Sequence, residues 1–374
     1  MKMTSFISRY IISAALVVGL VVGVEEVRAD DIAGPVETDS TQTEKSKGFN
    51  VADFIFEHVG DSYEWHILTV NGHHISIPLP IILYSRTSGL QVFLSNKFHN
   101  STRTYKGFKW EDEGKYAGKI VQLNSAGEVD DANPLPLNFS ITKNVLTIFM
   151  LGIFLCWLFI SIAKQYKKRP NSAPTGIQNM LEPIVLFVRD EIALPSLGEK
   201  QYQRFMPFLL TLFFFIWFAN MLGLIPIFPG GANVTGNIAV TMVLAVFTFV
   251  VITVNGNKHY WKDIFNAPGV PWFLKLPIPI MPLVEIMGMF TKPIVLMVRL
   301  FANILAGHMV GIVFMSLIFI FAGMKFWLGY VAAPISLIFS IFMTALELLV
   351  ALIQAYVFTL LSAIYIGMAT TEHE

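Results

Sequence analysis

The sequence predicts an all-α polytopic membrane protein with a long tilted helical hairpin at its C-terminus and a small β-rich extramembrane domain nearer its N-terminus. Hydrophobic residues make up 54% of the 374 residues, only 14% are charged, and the mean hydropathy is +0.60. A soluble domain carries about 25% charged residues, so the composition argues against an ordinary soluble protein. The formal net charge is zero, which gives no indication of a nucleic-acid partner.

The N-terminal residues indicate a targeting segment followed by a linker. Lys2 and Arg9 precede a short apolar stretch, after which small and polar residues follow. This is the layout of a secretory signal peptide with cleavage near Ala29, so residues 1–29 are predicted to be a signal peptide. A retained first membrane helix is the alternative, although the apolar stretch is short for a span. Residues 30–48 lack a hydrophobic pattern and are predicted to be a linker.

Residues 49–140 are predicted to form a β-rich domain on the outer, periplasmic side of the membrane. Two runs of strand-forming residues flank Asn71-Gly72, a dipeptide typical of a two-residue hairpin turn. A metal site is one hypothesis for this domain, because it contains five of the eight histidines. They lack a recognisable ligand spacing with cysteine or carboxylate, so a hairpin surface that carries imidazoles is the simpler interpretation. The five are His58, His66, His73, His74 and His99.

Residues 141–374 are predicted to form the membrane domain, with about five membrane helices and an amphipathic cytoplasmic segment. Asn144–Ala163 has the length of one bilayer crossing and is followed by the basic cluster KQYKKR. Because basic clusters mark the cytoplasmic side, the N-terminal domain is expected outside and the C-terminus in the cytoplasm. The signal peptide indicates the same orientation.

The next segments follow the same alternation. Residues 176–192 mix apolar and charged positions and are interpreted as the amphipathic segment at the cytoplasmic face. Phe205–Phe228 is expected to span outward, and Asn237–Val254 is expected to span back. The loop PGGANVTG between them contains no Lys or Arg, as expected of an outer loop.

The last third of the chain predicts the helical hairpin. No proline occurs between Pro293 and Pro334 or from Pro334 to the C-terminus. Helices of about 30 residues or more are therefore allowed on each side of a short turn near Ala322–Ala333. Such helices are longer than a hydrocarbon core of about 30 Å requires, so they must tilt or bend.

An arginine lies inside the apolar sequence MVRLFANILAG. Because arginine stays protonated, placing Arg299 in a membrane helix costs on the order of 3 kcal/mol or more, and it needs a protein partner or a wet cavity. Asn303 is four residues further on and shares its helix face. Glu285 lands near that face if the helix continues through Pro293. A snorkelling or purely structural arginine is the alternative.

The last helix carries a second set of polar residues. Glu347 and Gln354 are seven residues apart and therefore share a face. Polar stripes on two antiparallel helices can form an ion path or a site for a charged partner. His308, nine residues after Arg299, lies on roughly the opposite side of its helix and could pair with Glu347 in a separate wet cavity. A buried His–Glu pair that only holds the two helices together is the alternative.

The sequence contains no P-loop, HExxH or GxSxG motif. The chain is therefore not predicted to have a catalytic nucleotide site, a cofactor or a metal of its own. A cation/proton antiporter, or a subunit of one, is one candidate class, although the inverted repeats and broken helices of such transporters are not evident. A purely structural membrane anchor is another candidate, but it would leave Arg299, Glu347 and Gln354 unexplained.

RLFANILAG at residues 299–307, together with a last helix reading LELLVALIQAYVFTLLSAIYIGMA, resembles subunit a of the F-type rotary ATP synthases. The resemblance extends over roughly residues 140–374. It implies that Arg299 is the family's essential arginine, that Asn303 is the asparagine following it, and that Gln354 is the glutamine opposite the arginine. It also implies that Glu285 is the family's carboxylate upstream of the arginine.

Two positions depart from the bacterial pattern. Typical bacterial members have a glutamate where His308 stands and a histidine where Glu347 stands, and the exchange seen here resembles the mitochondrial type. One acid and one imidazole are kept between the same helices, so a shared role in proton transfer survives the exchange. Which of the two is the proton donor stays open.

The resemblance also implies partners and a mechanism. The partners are a ring of c subunits with one membrane carboxylate each, the b-subunit peripheral stalk and the rest of the synthase, in the lipid of a bacterial inner membrane. Two proton half-channels that do not meet would lie beside the ring, with Glu285, His308 and Glu347 along the proton path. Arg299 would face the ring carboxylate, with Asn303 and Gln354 orienting it. Proton is the expected coupling ion, and sodium stays open.

Overall fold

The computed structural model describes residues 60–70, 73–98, 104–111, 114–116, 118–124, 127–130, 135–168, 173–225, 230–265 and 280–370. The predicted signal peptide and linker lie outside these residues. The same holds for His58 and His99, and only the backbone is described for His66, His73 and His74. The hypothesis of a histidine metal site therefore falls outside the described side chains.

The described part of the N-terminal region forms three small antiparallel sheets. Their strand orders are β1-β2, β4-β3-β8 and β5-β6-β7. Val70 at the end of β1 pairs with His73 at the start of β2, so the predicted hairpin around Asn71-Gly72 is confirmed by the pairing on both sides of it. The strands are β1 Glu64–Val70, β2 His73–Pro78, β3 Pro80–Ser85, β4 Gly89–Leu94, β5 Thr104–Tyr105, β6 Phe108–Trp110, β7 Ile120–Gln122 and β8 Leu137–Asn138.

A compact aromatic and aliphatic core holds these sheets together. Ile81 and Leu83 of β3 and Phe93 of β4 point inward at alternate positions, as half-buried strands require. Phe98 and Phe108 complete the core, and Phe93 meets Phe98 edge to face with 5.3 Å between ring centroids. The β-rich prediction for this region therefore agrees with the structure.

Hydrogen bonds attach this region to the start of the first membrane helix, α1 (Lys143–Lys168). The Lys143 N–H donates to the Ser62 carbonyl at 2.9 Å, and the Asn144 N–H donates to Asp61 Oδ1 at 3.1 Å. These bonds pair N–H groups of the first helical turn, which have no partner within the helix. Burial raises the pKa of Asp61, while hydrogen bonds from Thr142 and Asn144 and the charge of Lys143 act in the opposite direction.

Six further helices follow α1 in the part of the chain that the structure describes. Within the described residues, five helical stretches are long and apolar enough to cross a membrane, so the prediction of a multi-pass membrane protein is confirmed. The helices are α2 Ile177–Phe187, α3 Leu194–Leu224, α4 Ile238–Asn255, α5 Lys258–Phe265, α6 Ile280–Met324 and α7 Phe326–Thr370, and a π-helical turn, Val188–Ala193, joins α2 to α3.

The second crossing ends earlier than predicted. The predicted amphipathic segment corresponds to α2 and the π-helical turn, and a break at Gly198 (φ 70°, ψ 167°) separates it, with the first residues of α3, from the rest of α3. The span expected over Phe205–Phe228 ends earlier, at Leu224. Ile225 is extended (φ −85°, ψ 112°) because it precedes Pro226, and a residue before proline avoids the helical region.

The C-terminal hairpin has the predicted long helices, with a tighter turn than expected. Its helices α6 and α7 contain 45 residues each, and only Lys325 separates them, so the turn lies inside the predicted region Ala322–Ala333 but is shorter than it. Pro293 and Pro334 lie inside the helices, because neighbouring helices and local adjustment can compensate for the missing N–H in a membrane helix. Each helix is about 67 Å long, which is more than a perpendicular crossing needs.

The hairpin packs against α3 and α4. Its C-terminal part contacts α3, where Leu209, Phe213 and Phe214 are buried. Asn257 and Gln201 donate to the last carbonyls of α7 and so cap its end. In the most apolar stretch of each helix, only 11% is buried in α6 and 17% in α7, compared with 50% in the continuous helical segment that contains α3. Most of the hairpin surface is therefore left for lipid or for another apolar partner.

Candidate functional site

Arg299 lies on the exposed side of α6. Leu296, Leu300 and Ile304 recur every four residues along this helix and are buried. Arg299 and Asn303 form a neighbouring row beside the buried one, and both are exposed. The helix is continuous from Glu285 through Pro293 to Arg299, as the predicted alignment of Glu285 with this face requires.

Arg299 forms no hydrogen bond or ion pair with any residue that the structure describes. Asn303 shares its face, but the structure does not join the two side chains by a hydrogen bond. Gln354 on α7 is buried, with 6% of its surface exposed, and does not bond Arg299 either. A guanidinium on a membrane helix requires an acceptor or an anion, and the part of the chain that the structure describes supplies none.

His308 and Glu347 meet between α6 and α7. His308 Nδ1 lies 3.2 Å from Glu347 Oε1, and the two side chains are 23% and 9% exposed. Gly307 faces the glutamate, and a Cβ there would lie 3.4 Å from Glu347 Cγ, at ordinary van der Waals contact. The structure thus brings together the two residues that the sequence suggested as a pair, in an arrangement that can hold one proton between an acid and an imidazole.

A small polar cavity adjoins this pair. It has room for about one water molecule. Its polar lining includes Asn220 on α3, Asn233 in the loop before α4, His308 on α6 and Glu347 on α7. The full lining is Ala219, Asn220, Gly223, Leu224, Asn233, Thr235, Ile304, His308, Glu347 and Ala351.

The amide of Asn233 is the unsatisfied group in the cavity wall. Thr235 Oγ1 donates to Asn220 Oδ1, and Asn220 Nδ2 donates to the Ala351 carbonyl at 3.2 Å, so the Asn220 amide is paired. Asn233 Oδ1 accepts the Gly236 N–H at 3.0 Å, which identifies the oxygen of that amide. Asn233 Nδ2 is buried and has no hydrogen-bond partner among the described residues. A buried donor of this kind is usually satisfied by an ordered water.

Sequence reasoning missed Asn220, Asn233 and Thr235. The segment PGGANVTG was interpreted as an ordinary outer loop, whereas Ala232–Thr235 is buried, with at most 4% of any of its residues exposed. The available signal was composition, because this loop consists of small and polar residues without charge, which fits a segment packed among helices.

Glu285 lies apart from the His308–Glu347 pair. Glu285 is half-buried. The pKa of the Tyr260 hydroxyl on α5 is raised, first by the burial of Tyr260 itself and second by the nearby charge of Glu285. Along α6, Glu285 is about 21 Å from Arg299 in one direction and His308 is about 14 Å from it in the other. Two polar locations therefore lie on opposite sides of the arginine along one helix.

Comparison with known proteins identifies the family of the chain. A family model described as the ATP synthase A chain matches residues 145–367, which include Arg299, Asn303, Gln354 and the acidic and histidine residues above. A second model, for a domain of unknown function, matches residues 54–141.

Three curated relatives illustrate the similarity. The chain is 42% identical over 244 residues to the ATP synthase subunit a of Chloroherpeton thalassium, a match that covers 63% of this chain and 68% of that one. It is 43% identical over 243 residues to ATP synthase subunit a 2 of Chlorobaculum tepidum, covering 63% and 65% of the two chains. It is 42% identical over 239 residues to the ATP synthase subunit a of Myxococcus xanthus, covering 62% and 74%.

Proposed function

The chain belongs to the ATP synthase A chain family, and from that premise we propose that it conducts protons past a rotating ring of c subunits in an F-type ATP synthase. The observation that carries the proposal is Arg299, an exposed cation on a membrane helix with no partner among the described residues. A carboxylate on each ring subunit would supply the missing anion. The surrounding surface of α6 is apolar, as contact with a membrane ring requires.

Arg299 acts by its charge. It attracts the ionised ring carboxylate and favours release of its proton, because an opposite charge nearby stabilises the ionised form. A neutral carboxylic acid can rotate through lipid, whereas a carboxylate pays a large desolvation penalty. The fixed charge also blocks direct proton flow between the two half-channels. Asn303 and Gln354 orient the arginine when the ring is in place.

The His308–Glu347 pair and its cavity form the inner end of the outer half-channel. Protons pass from this pair to a ring carboxylate on one side of Arg299. After nearly a full turn, the carboxylic acid releases its proton to the cytoplasmic half-channel near Glu285. The separation of Glu285 from His308 along α6 supports two paths that do not meet.

Membership of this family makes the rest of the ATP synthase the partner of the chain. More specifically, we propose contacts with the c ring and with the b-subunit peripheral stalk in a bacterial inner membrane. Residues 49–140 would lie on the periplasmic side, after a signal peptide (1–29) and linker (30–48), and the membrane domain (141–374) would end in the cytoplasm. The comparisons give no support to the antiporter interpretation.

The test of the proposed function is ATP-driven proton pumping by the Arg299→Ala variant in membrane vesicles. Loss of pumping with the variant chain still in the complex supports the proposal. Pumping at the wild-type rate contradicts it.

Replacement of Asn233 by leucine is expected to slow proton pumping by about tenfold, the rate equivalent of one lost hydrogen bond. The reason is that Asn233 Nδ2, buried and otherwise unpaired, holds the cavity water that passes protons to the His308–Glu347 pair. Initial rates of ATP-driven acidification, normalised to assembled complex, measure the effect. Thr248→Val is the matched control, since Thr248 is buried in α4 and bonds only a carbonyl of its own helix. Equal rates in both variants would contradict the role of Asn233.

A further inference from the structure

The sheet β4-β3-β8 is apolar on both faces. One face forms the domain core through Ile81, Leu83 and Phe93. The opposite face would be polar in a sheet that borders water. Here its members are hydrophobic, and we call them the outer sheet face: Pro80, Ile82, Tyr84, Leu90, Val92, Leu94, Leu137 and Phe139.

Strand register joins these side chains into one patch. Pro80 pairs with Leu94, Ile82 with Val92, and Tyr84 with both Leu90 and Leu137. Leu90 is 62% exposed and Val92 55% exposed, so the described residues leave the patch uncovered. A contiguous, exposed apolar patch formed by eight side chains is typical of a surface that binds a protein or a membrane.

The outer sheet face begins where the membrane helix begins. The Phe139 N–H donates to the Ile82 carbonyl and the Ile141 N–H to the Pro80 carbonyl, so the chain follows β3 directly into α1. The end of the patch at Pro80 therefore lies at the N-terminus of a membrane span. Tyr84, at its far end, is about 13 Å further along the strand.

The chain segments that carry the patch have basic residues and no acidic ones. Leu79–Phe98 and Leu135–Lys143 contain no aspartate or glutamate. Arg86 in the β3–β4 turn and Lys97 just after β4 are both exposed, at opposite ends of the patch. An apolar face bracketed by cations complements the acyl chains and phosphates of an anionic phospholipid surface.

We propose that the outer sheet face lies on the bilayer surface and binds anionic phospholipid. The continuity of β8 with α1 holds the patch at the membrane, and Arg86 and Lys97 reach lipid phosphates at its two ends. Tyr84, Val92 and their neighbours sit among the headgroups and the upper acyl chains. The β-rich domain then serves as a lateral support that fixes the position of α1 in the membrane.

Spin labels on the full-length chain in vesicles test this docking. Cys156, the exposed native cysteine, is replaced by serine, and single cysteines are introduced as Leu90→Cys, Val92→Cys and, as a matched exposed control, Glu128→Cys. Labels at positions 90 and 92 are expected to meet membrane-dissolved oxygen more often than a water-soluble nickel chelate. The label at position 128 is expected to show the reverse.

Lipid composition and charge reversal give a second readout. Oxygen accessibility at position 92 is expected to rise in vesicles containing phosphatidylglycerol compared with purely zwitterionic vesicles, and Arg86→Glu with Lys97→Glu is expected to remove that rise. Nickel accessibility at 90 and 92 equal to that at 128 would overturn the proposal by placing the face in water. Shielding from both reagents would overturn it by showing that a protein segment covers the face.

Discussion

Arg299→Ala is expected to abolish ATP-driven proton pumping, reducing it to the level of vesicles without the enzyme. The arginine is the exposed cation on α6 and has no partner among the described residues, so its removal deprives the ring carboxylate of the charge that favours proton release. ATP hydrolysis by the detached catalytic sector is expected to continue. Dye quenching in inverted vesicles measures the pumping, and immunodetection of the chain in the purified complex verifies assembly.

Two further variants test whether the guanidinium of Arg299 itself is required. Arg299→Lys is expected to restore little pumping, because a compact ammonium loses its proton more readily when desolvated and cannot bind a carboxylate in the bidentate manner of arginine. Val295→Ala, one turn earlier and also exposed, is expected to pump nearly as well as the wild type. Coupled pumping by Arg299→Ala would show that the arginine is structural and would remove the basis of the half-channel mechanism.

Exchange of His308 and Glu347 is expected to preserve much more pumping than either single replacement. His308→Glu alone places two carboxylates about as close as the present 3.2 Å contact, where like charges repel, and Glu347→His alone places two imidazoles there. Each single variant is expected to lose on the order of 100-fold in rate, typical of a displaced proton-transfer group. The double variant again has one acid and one imidazole.

A double-mutant cycle on initial pumping rates tests the exchange. The expected outcome is strong non-additivity, with the double variant faster than both singles. The pH dependence of the double variant is also expected to differ from that of the wild type, because each group enters a new environment. If the double variant were as slow as the worse single, the pair would not work as a unit that shares a proton.

The charged residues of the candidate site could be predicted because charged side chains are rare in apolar membrane helices. Arg299, His308 and Glu347 each interrupt an apolar run, and a polar group in such a run needs a partner. Helical spacing then places Glu347 and Gln354 on one face, and both are buried. The hairpin turn at Asn71-Gly72 was predictable for a local reason, since few sequences suit a two-residue turn.

Other features depend on tertiary contacts that sequence does not display. Asn233 and Thr235 resemble ordinary loop residues, and only the packing of α3 and α6 around them makes them part of a cavity wall. Pro334 was taken as a helix boundary, but α7 continues through it, because a membrane helix can tolerate the loss of one hydrogen bond. The apolar outer sheet face could not be predicted either. Residues that point inward and residues that point outward are both hydrophobic in β3 and β4, so the usual alternation of apolar and polar residues is missing.

Photocrosslinking in the intact complex tests whether the exposed face of α6 meets the rotor ring. A photoreactive amino acid replaces Ala302, which is exposed between Arg299 and Asn303, and Ile153 on α1 provides a control position that is 71% exposed. Position 302 is expected to capture the small ring-forming proteolipid, and position 153 is not. Capture of only lipid or of a different polypeptide at position 302 would contradict this contact.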